Sequence, residues 1–381
     1  MGLLRLFLAL SVVTAHAASP IFGIPAAPAF FSVNVFFIVS GFYMSMVLNN
    51  KYRDVGIGTF YKNRVVRLLP VYLIGTIFGL IVTFGAVATF FGTLSRWGPV
   101  FFIVTNLGLV GQDLSYLLCV PASHDACAYP VSMTINPPAW SLSVELGFYA
   151  VAPFIVKSPR RTYFFIAAGI AYLIATNFIQ IPTGPIPRLG VKTAFDFNYY
   201  FYPASFLFFG VGAMAYQLSS GLAKFRYLPA ALLLVGAAFT QTTMSFWFPF
   251  ILAIAVPALF ALTKSNKIDR TIGELSYPVY ILHFPVIDAL HAYLPAKSWL
   301  LTPAVFGSFL GLILIAVALL VHYTVETAAT RFRHSLIHHE PQPPGLSLRA
   351  KLTSRAFLVA YFSIPVVVLS WVFVQQAVPS A

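Results

Sequence analysis

The chain has 381 residues, 59% of them hydrophobic and 9% charged, with a mean hydropathy of +0.84 and a formal net charge of +13. Soluble domains carry about 25% charged residues, so a soluble fold is excluded and the chain reads as a membrane protein. The basic excess does not mark a nucleic-acid binder, because the lysines and arginines sit in short loops between apolar runs and not on the face of a folded domain.

In chain order, apolar runs that could span fall at residues 3–18, 30–49, 68–91, 138–156, 162–179, 199–218, 228–243, 246–263, 275–294, 300–323 and 356–378, with an ambiguous shorter run at 98–112. About 20 apolar residues cross a hydrocarbon core as a helix. The expected fold is therefore all-α: a polytopic transmembrane helical bundle of ten core spans plus one appended C-terminal span. With the N-terminus cytoplasmic and 98–112 re-entrant or packed on the outer face, 19 of the 23 lysines and arginines lie inside, against Arg96, Arg188, Lys192 and Lys297 outside. Letting 98–112 cross inverts every later loop and exports three basic clusters, against the positive-inside bias. The expected domains are a bundle at 1–334, a basic cytoplasmic linker at 335–355, and an extra helix with a short tail at 356–381. No internal repeat is visible, so the inverted-repeat signature of many transporters is absent by eye.

The first run carries two readings. Arg5, the apolar stretch 6–13 and the Ala-His-Ala triplet at 15–17 imitate a signal peptide with its cleavage site. Against cleavage, loss of this helix leaves 30–48 to insert unaided and discards His16. Arg5 and His16 are eleven residues apart, about three turns, so they share a face roughly 16 Å apart along the axis. That spacing suits a functional pair, and equally a snorkelling anchor with an interfacial histidine. Both cysteines, Cys119 and Cys127, fall in the long outer excursion between 91 and 138. A disulfide or two free thiols fit there, whereas two residues make a poor zinc site.

Ionisable groups inside a bilayer are costly, which makes each a functional candidate. Of ten carboxylates, only Glu145 and Asp288 fall well inside spans, with Glu274 and Glu326 at inner borders. His16 and His283 are the embedded histidines, with His291 and His322 near span ends. Glu145, one to two turns inside its span, is expected at a depth similar to His16, where the two form either an acid/base pair or separate structural hydrogen bonds. Arg64 and Arg67 share a helical face just before Pro70, and serve either phosphate binding or membrane orientation. Tyr277 and His283 line a polar passage or bond helices together. No phosphate loop, zinc motif or nucleophile elbow is present.

Six segments in order resemble the acyltransferase-3 family of bacterial membrane O-acyltransferases, which acylate surface polysaccharides such as O-antigen, peptidoglycan and exopolysaccharide. They are Arg5 with His16; Asn-Val-Phe-Phe-Ile-Val-Ser-Gly-Phe at 34–42; Arg-Val-Val-Arg-Leu-Leu-Pro-Val-Tyr at 64–72; and Trp-Ser-Leu-Ser-Val-Glu at 140–145. Ser-Tyr-Pro-Val-Tyr-Ile-Leu-His at 276–283 and the closing Glu326 complete the set. Two positions depart from the family pattern: Leu146, where a second acidic residue is common, and Ala328, where a proline is common. A soluble esterase-like domain, fused to some members, is not in the sequence.

The resemblance implies transfer of a short acyl group, acetyl first, from cytoplasmic acyl-CoA to a carbohydrate or glycolipid hydroxyl at the bacterial cytoplasmic (inner) membrane. It implies His16 as general base or transient acyl carrier, supported by Glu145. It implies donor or substrate binding by Arg5, Arg64, Arg67, Ser141, Ser143, Tyr277 and His283. No metal and no resident cofactor are expected, with acyl-CoA as co-substrate. The rival classes are a transporter or flippase for a lipid-linked glycan, with His16, Glu145 and Asp288 lining its path, and a membrane scaffold.

Overall fold

The computed structural model describes residues 1–24, 26–53, 55–117, 120–123, 127–128, 133–178, 194–222 and 248–338. Among these, the helices in chain order are α1 (Gly2–Ala17), α2 (Ala29–Asn49), α3 (Ile57–Val82), α4 (Phe84–Thr93), α5 (Gly98–Gly108), α6 (Ala139–Ile155) and α7 (Pro159–Phe178). They continue with α8 (Ala194–Tyr199), α9 (Phe206–Gln217), α10 (Ser219–Leu222), α11 (Phe248–Thr263), α12 (Lys267–Tyr293), α13 (Phe306–Val321) and α14 (Thr327–His338). Short 3₁₀ turns intervene, and a two-residue antiparallel pair, Val120–Pro121 with Cys127–Ala128, is the sole sheet among the described residues. Helices satisfy their own backbone groups, the condition for residing in hydrocarbon. By length and composition, Ala29–Asn49, Ile57–Val82 and Phe306–Arg333 are each able to cross a membrane.

Two helices organise the bundle. The first, α2, packs against α1, α6, α9 and α11, and the second, α12, packs against α1, α3 and α13. The α2–α9 contact is backbone against backbone: a Cβ on Gly41 would lie 2.1 Å from the Phe209 carbonyl oxygen, and one on Gly212 would lie 1.9 Å from that of Ile38. Only glycine permits this approach, as at helix interfaces in membranes generally. The other organising helix contains Pro278 and Pro285. Pro285 has no N–H to give the Ile281 carbonyl, and Asn136 Nδ2 donates to that oxygen at 3.1 Å instead.

Several expected boundaries shift. The span expected at 68–91 is α3 followed by the separate α4, so the basic stretch holding Arg64 and Arg67 is already helical. The span at 275–294 begins eight residues earlier, at Lys267, where Asn266 caps it by accepting from the Asp269 N–H at 3.1 Å. The run at 199–218 is broken into a 3₁₀ turn and the 12-residue α9. The run at 300–323 is α13 closed by a π-turn at His322–Glu326. The ambiguous run 98–112 holds α5, whose 11 residues are about 17 Å long, too short to cross. Its Phe102 packs with Val87, Leu94, Val120 and Ile135 in a second small core. The runs 228–243 and 356–378, the linker beyond 338 and Cys119 lie outside the described residues, and with them the Cys119–Cys127 pairing.

Candidate active site

Arg5 of α1, Tyr43 of α2, Arg67 of α3 and Tyr277 of α12 converge and line two adjoining cavities. The larger, about 490 Å³, is also lined by Lys264, Arg270, Glu274, His322, Glu326 and Arg333. The smaller, about 90 Å³, lies between Ser40, Ser141, Glu145, Tyr149 and Tyr280. Arg5, Arg67 and Arg333 make no ion pair among the described residues, although all three face the cavities. At the rim, His322 Nδ1 lies 3.1 Å from Glu326 and its Nε2 lies 3.6 Å from Glu274. The π-turn places His322 there, a backbone irregularity common at functional sites. Arg333 is held by donating from Nε to Asn63 Oδ1 at 3.2 Å.

One face of α6 serves the smaller cavity, because Ser141, Glu145 and Tyr149 are four apart. Glu145 Oε1 accepts from Ser40 Oγ at 2.6 Å and from Tyr149 OH at 2.5 Å. Ser141 Oγ donates to the Pro138 carbonyl at 2.9 Å, so its single proton is used and the Tyr280 hydroxyl, also at 2.9 Å, donates to it. One face of α12 runs alongside, presenting Tyr277, Tyr280 and His283 at intervals of three. The Tyr277 hydroxyl donates to the Leu68 carbonyl at 2.5 Å.

Beyond Tyr280 the same face reaches the first helix. His16 Nδ1 lies 2.8 Å from His283 Nε2, with the two rings stacked at 5.0 Å, and His283 Nδ1 lies 2.5 Å from the Tyr280 carbonyl oxygen. A carbonyl only accepts, so His283 carries its proton on Nδ1 and offers a lone pair at Nε2. His16 must then donate from Nδ1, which leaves its Nε2 as the basic nitrogen. His283 is fully buried, at 0%, whereas His16 is exposed.

Four sequence expectations are corrected. His16 and Glu145 do not meet: His283 occupies the place beside His16, and Glu145 faces the cavity it shares with Arg5. The physical reason is depth, since Glu145 lies six residues below the start of its helix, about 9 Å, and so toward the Arg5 end. Ser143 is two residues, about 200°, from Ser141 and turns the other way. It donates to Asp113 Oδ1 at 2.9 Å and accepts from the Gln112 N–H at 3.2 Å, tying the outer excursion to α6. Arg64 and Arg67 differ by about 60° around their helix, and that suffices to send Arg67 into the cavities and Arg64 elsewhere. Asp288 is half-buried and lines neither cavity. Asp113, in the outer excursion, is 1% exposed, and burial lifts its carboxyl to about 6.

Sequence reasoning gave no role to Tyr149, Tyr280 or Arg333. Tyr149 was signalled by its i+4 spacing from Glu145, and Tyr280 by its i+3 spacing from both Tyr277 and His283. Arg333 carried no signal, being one more basic residue on a basic side.

A helical membrane protein with a cationic double cavity and a histidine pair one turn beyond it on the same helix is the class that fold and site define. The family model described as an acyltransferase domain matches residues 1–322, and the chain belongs to that family of enzymes. It is 27% identical over 335 residues to the acyltransferase MdmB of Streptomyces mycarofaciens, covering 79% of this chain and 80% of that one. It is 24% identical over 297 residues to the O-acetyltransferase OatA of Staphylococcus aureus strain NCTC 8325 / PS 47, covering 69% of this chain and 47% of that one. The match thus spans about half the length of OatA. No solved structure matches.

Proposed function

We propose that the protein transfers a short acyl group, acetyl first, from cytoplasmic acyl-CoA to a carbohydrate hydroxyl, within an inner-membrane bundle of ten core spans and one appended span with its N-terminus inside. The observation that carries this reading is one helix face: Tyr277 and Tyr280 line cavities whose Arg5, Arg67 and Arg333 make no ion pair among the described residues, and His283, next on that face, holds a histidine whose Nε2 is the basic nitrogen. The donor's phosphates bind Arg67 and Arg333, with Arg5 at the neck between the cavities, since unpaired guanidinium groups suit phosphate oxygens. The acyl end of the thioester then extends past Glu145 and Tyr280 toward His16. Glu145, fixed by Ser40 and Tyr149, balances the charge of Arg5 and Arg67 around that path.

The acceptor hydroxyl gives its proton to His16 Nε2, and its oxygen attacks the thioester carbonyl. A carbon–oxygen bond forms, the carbon–sulfur bond breaks, and the CoA sulfur takes the proton back from the imidazolium. His283 acts through His16, as the acceptor that fixes its tautomer. The acyltransferase relatives support the reaction class; the acyl group rests on the family resemblance, the donor on that resemblance and the cationic cavity, and the sidedness on the charge distribution. Purified protein in lipid nanodiscs should release CoA from acetyl-CoA in the presence of a carbohydrate acceptor, and the His16→Ala variant should not. A wild type that neither binds nor consumes acetyl-CoA removes the donor and overturns the reading.

A further inference from the structure

Arg64 lies outside both cavities described above, in an environment that supplies almost nothing a guanidinium needs. It is 4% exposed, yet its Nε and Nη1 have no hydrogen-bond partner among the described residues. Its central carbon sits 6.0, 5.4 and 5.7 Å from the ring centroids of Tyr52, Phe60 and Tyr149. Those rings offset part of the charge's burial through their electron-rich faces. They provide no oxygen toward which the N–H groups can point, and a buried donor left unpaired is costly.

The same residue lines a groove of about 480 Å³ formed by α3, α6 and the end of α5. Among the described residues lining it, Arg64 is the one that is charged. The rest of the wall is mainly aliphatic, including Leu68, Leu69, Leu109 and Leu146. Val65, on the same stretch of α3, is 46% exposed, so the groove lies on the outward face of the bundle, where lipid would be. From Arg64 to Leu69 the α3 wall runs five residues, about 8 Å, into the bilayer, enough to hold the upper part of one acyl chain in a leaflet roughly 15 Å deep. An apolar slot that starts at one cation matches a molecule with an apolar tail and one anionic head.

We propose that this groove binds one anionic phospholipid of the leaflet on the basic side, its phosphate hydrogen-bonded to Arg64 and one acyl chain lying along α3 and α6. Charge complementarity chooses this occupant over a zwitterionic lipid, whose head carries a second, repelling charge. The site touches the reaction path at one point, since Tyr149 packs on the Arg64 guanidinium and gives its hydroxyl to Glu145. Lipid occupancy and the shape of the smaller cavity are therefore mechanically linked.

The test uses the full chain, equilibrated with equal amounts of phosphatidylglycerol and phosphatidylcholine and read by native mass spectrometry. The wild type should retain phosphatidylglycerol over phosphatidylcholine by about fivefold or more, and Arg64→Gln should bring that ratio to about one. Gly58→Trp is the second variant: a Cβ at Gly58 meets nothing within 4 Å, so an indole there starts from open space in the groove, and both lipid adducts should fall while Arg64 remains. A wild type without phosphatidylglycerol preference overturns the proposal, as does an Arg64→Gln protein that keeps the wild-type ratio. A raised acetyl-CoA KM in Arg64→Gln with an unchanged lipid ratio assigns the guanidinium to the donor and also overturns it. Dimer peaks that appear as lipid is stripped and vanish in Gly58→Trp would show the groove to be an interface between copies, again against the proposal.

Discussion

The two ends of the proposed reaction path are built on opposite principles. At the basic end, Arg5, Arg67 and Arg333 face a cavity of about 490 Å³ and make no ion pair among the described residues. At the histidine end, each ring nitrogen of fully buried His283 has a partner, at 2.5 and 2.8 Å, and among the described residues His16 Nε2 is left open. Unpaired buried charge is tolerated where a ligand supplies the counter-charge. A fully satisfied network holds one geometry. Under the proposed function, the difference separates binding from positioning: the first end is assigned to a polyanionic donor, and the second to proton transfer.

Substitutions can break that contrast at either end. The largest effect is expected for His16→Ala, which removes the base and should lower kcat about 10³-fold while leaving acetyl-CoA binding intact. Next is His283→Phe, which keeps a ring but offers His16 no acceptor, so kcat should fall about 10²-fold with little change in the donor KM. His283→Gln, whose amide oxygen can accept from His16, should recover part of that loss. Recovery by Gln but not Phe distinguishes tautomer control from simple packing. Arg67→Gln and Arg333→Gln should each raise the acetyl-CoA KM about tenfold, more steeply at low salt, with kcat changed less.

The smallest effect is on stability, at Asp113. Its folded carboxyl titrates at about 6 instead of 3.8, so between those values the folded state holds a proton that the unfolded state has lost. Stability is therefore highest below about pH 4, falls as pH rises through about 6, and stays lower above it. Asp113→Asn should flatten that fall, seen as a thermal midpoint a few degrees higher than wild type at pH 7.5 and no higher at pH 4.

What could be read from the chain beforehand follows from the range of each signal. Apolar runs and basic loops report on single helices in a bilayer, and they located most of the described helices. The basic stretch was harder, because Lys62 to Arg67 carry charge but still suit a helix, so α3 begins well before its apolar part. Relations within one helix were equally legible, such as Glu145 with Tyr149 or Tyr277 with Tyr280. Relations between helices were not. Whether His16 meets Glu145 or His283 depends on the rotation and depth of three helices, and about 9 Å of depth decided it. The split between Arg64 and Arg67 depends likewise on where α6 wedges against α3.

The central claim is that donor binding and proton transfer reside at different ends of one path. The most direct measurement is acetyl-CoA affinity alongside single-turnover CoA release, on the same nanodisc preparations of wild type, His16→Ala and Arg67→Gln. The account predicts that His16→Ala binds acetyl-CoA like wild type and releases no CoA, whereas Arg67→Gln binds it about tenfold more weakly and still turns over at saturation. Loss of acetyl-CoA affinity in His16→Ala, or release of CoA by it at the wild-type rate, would contradict the account.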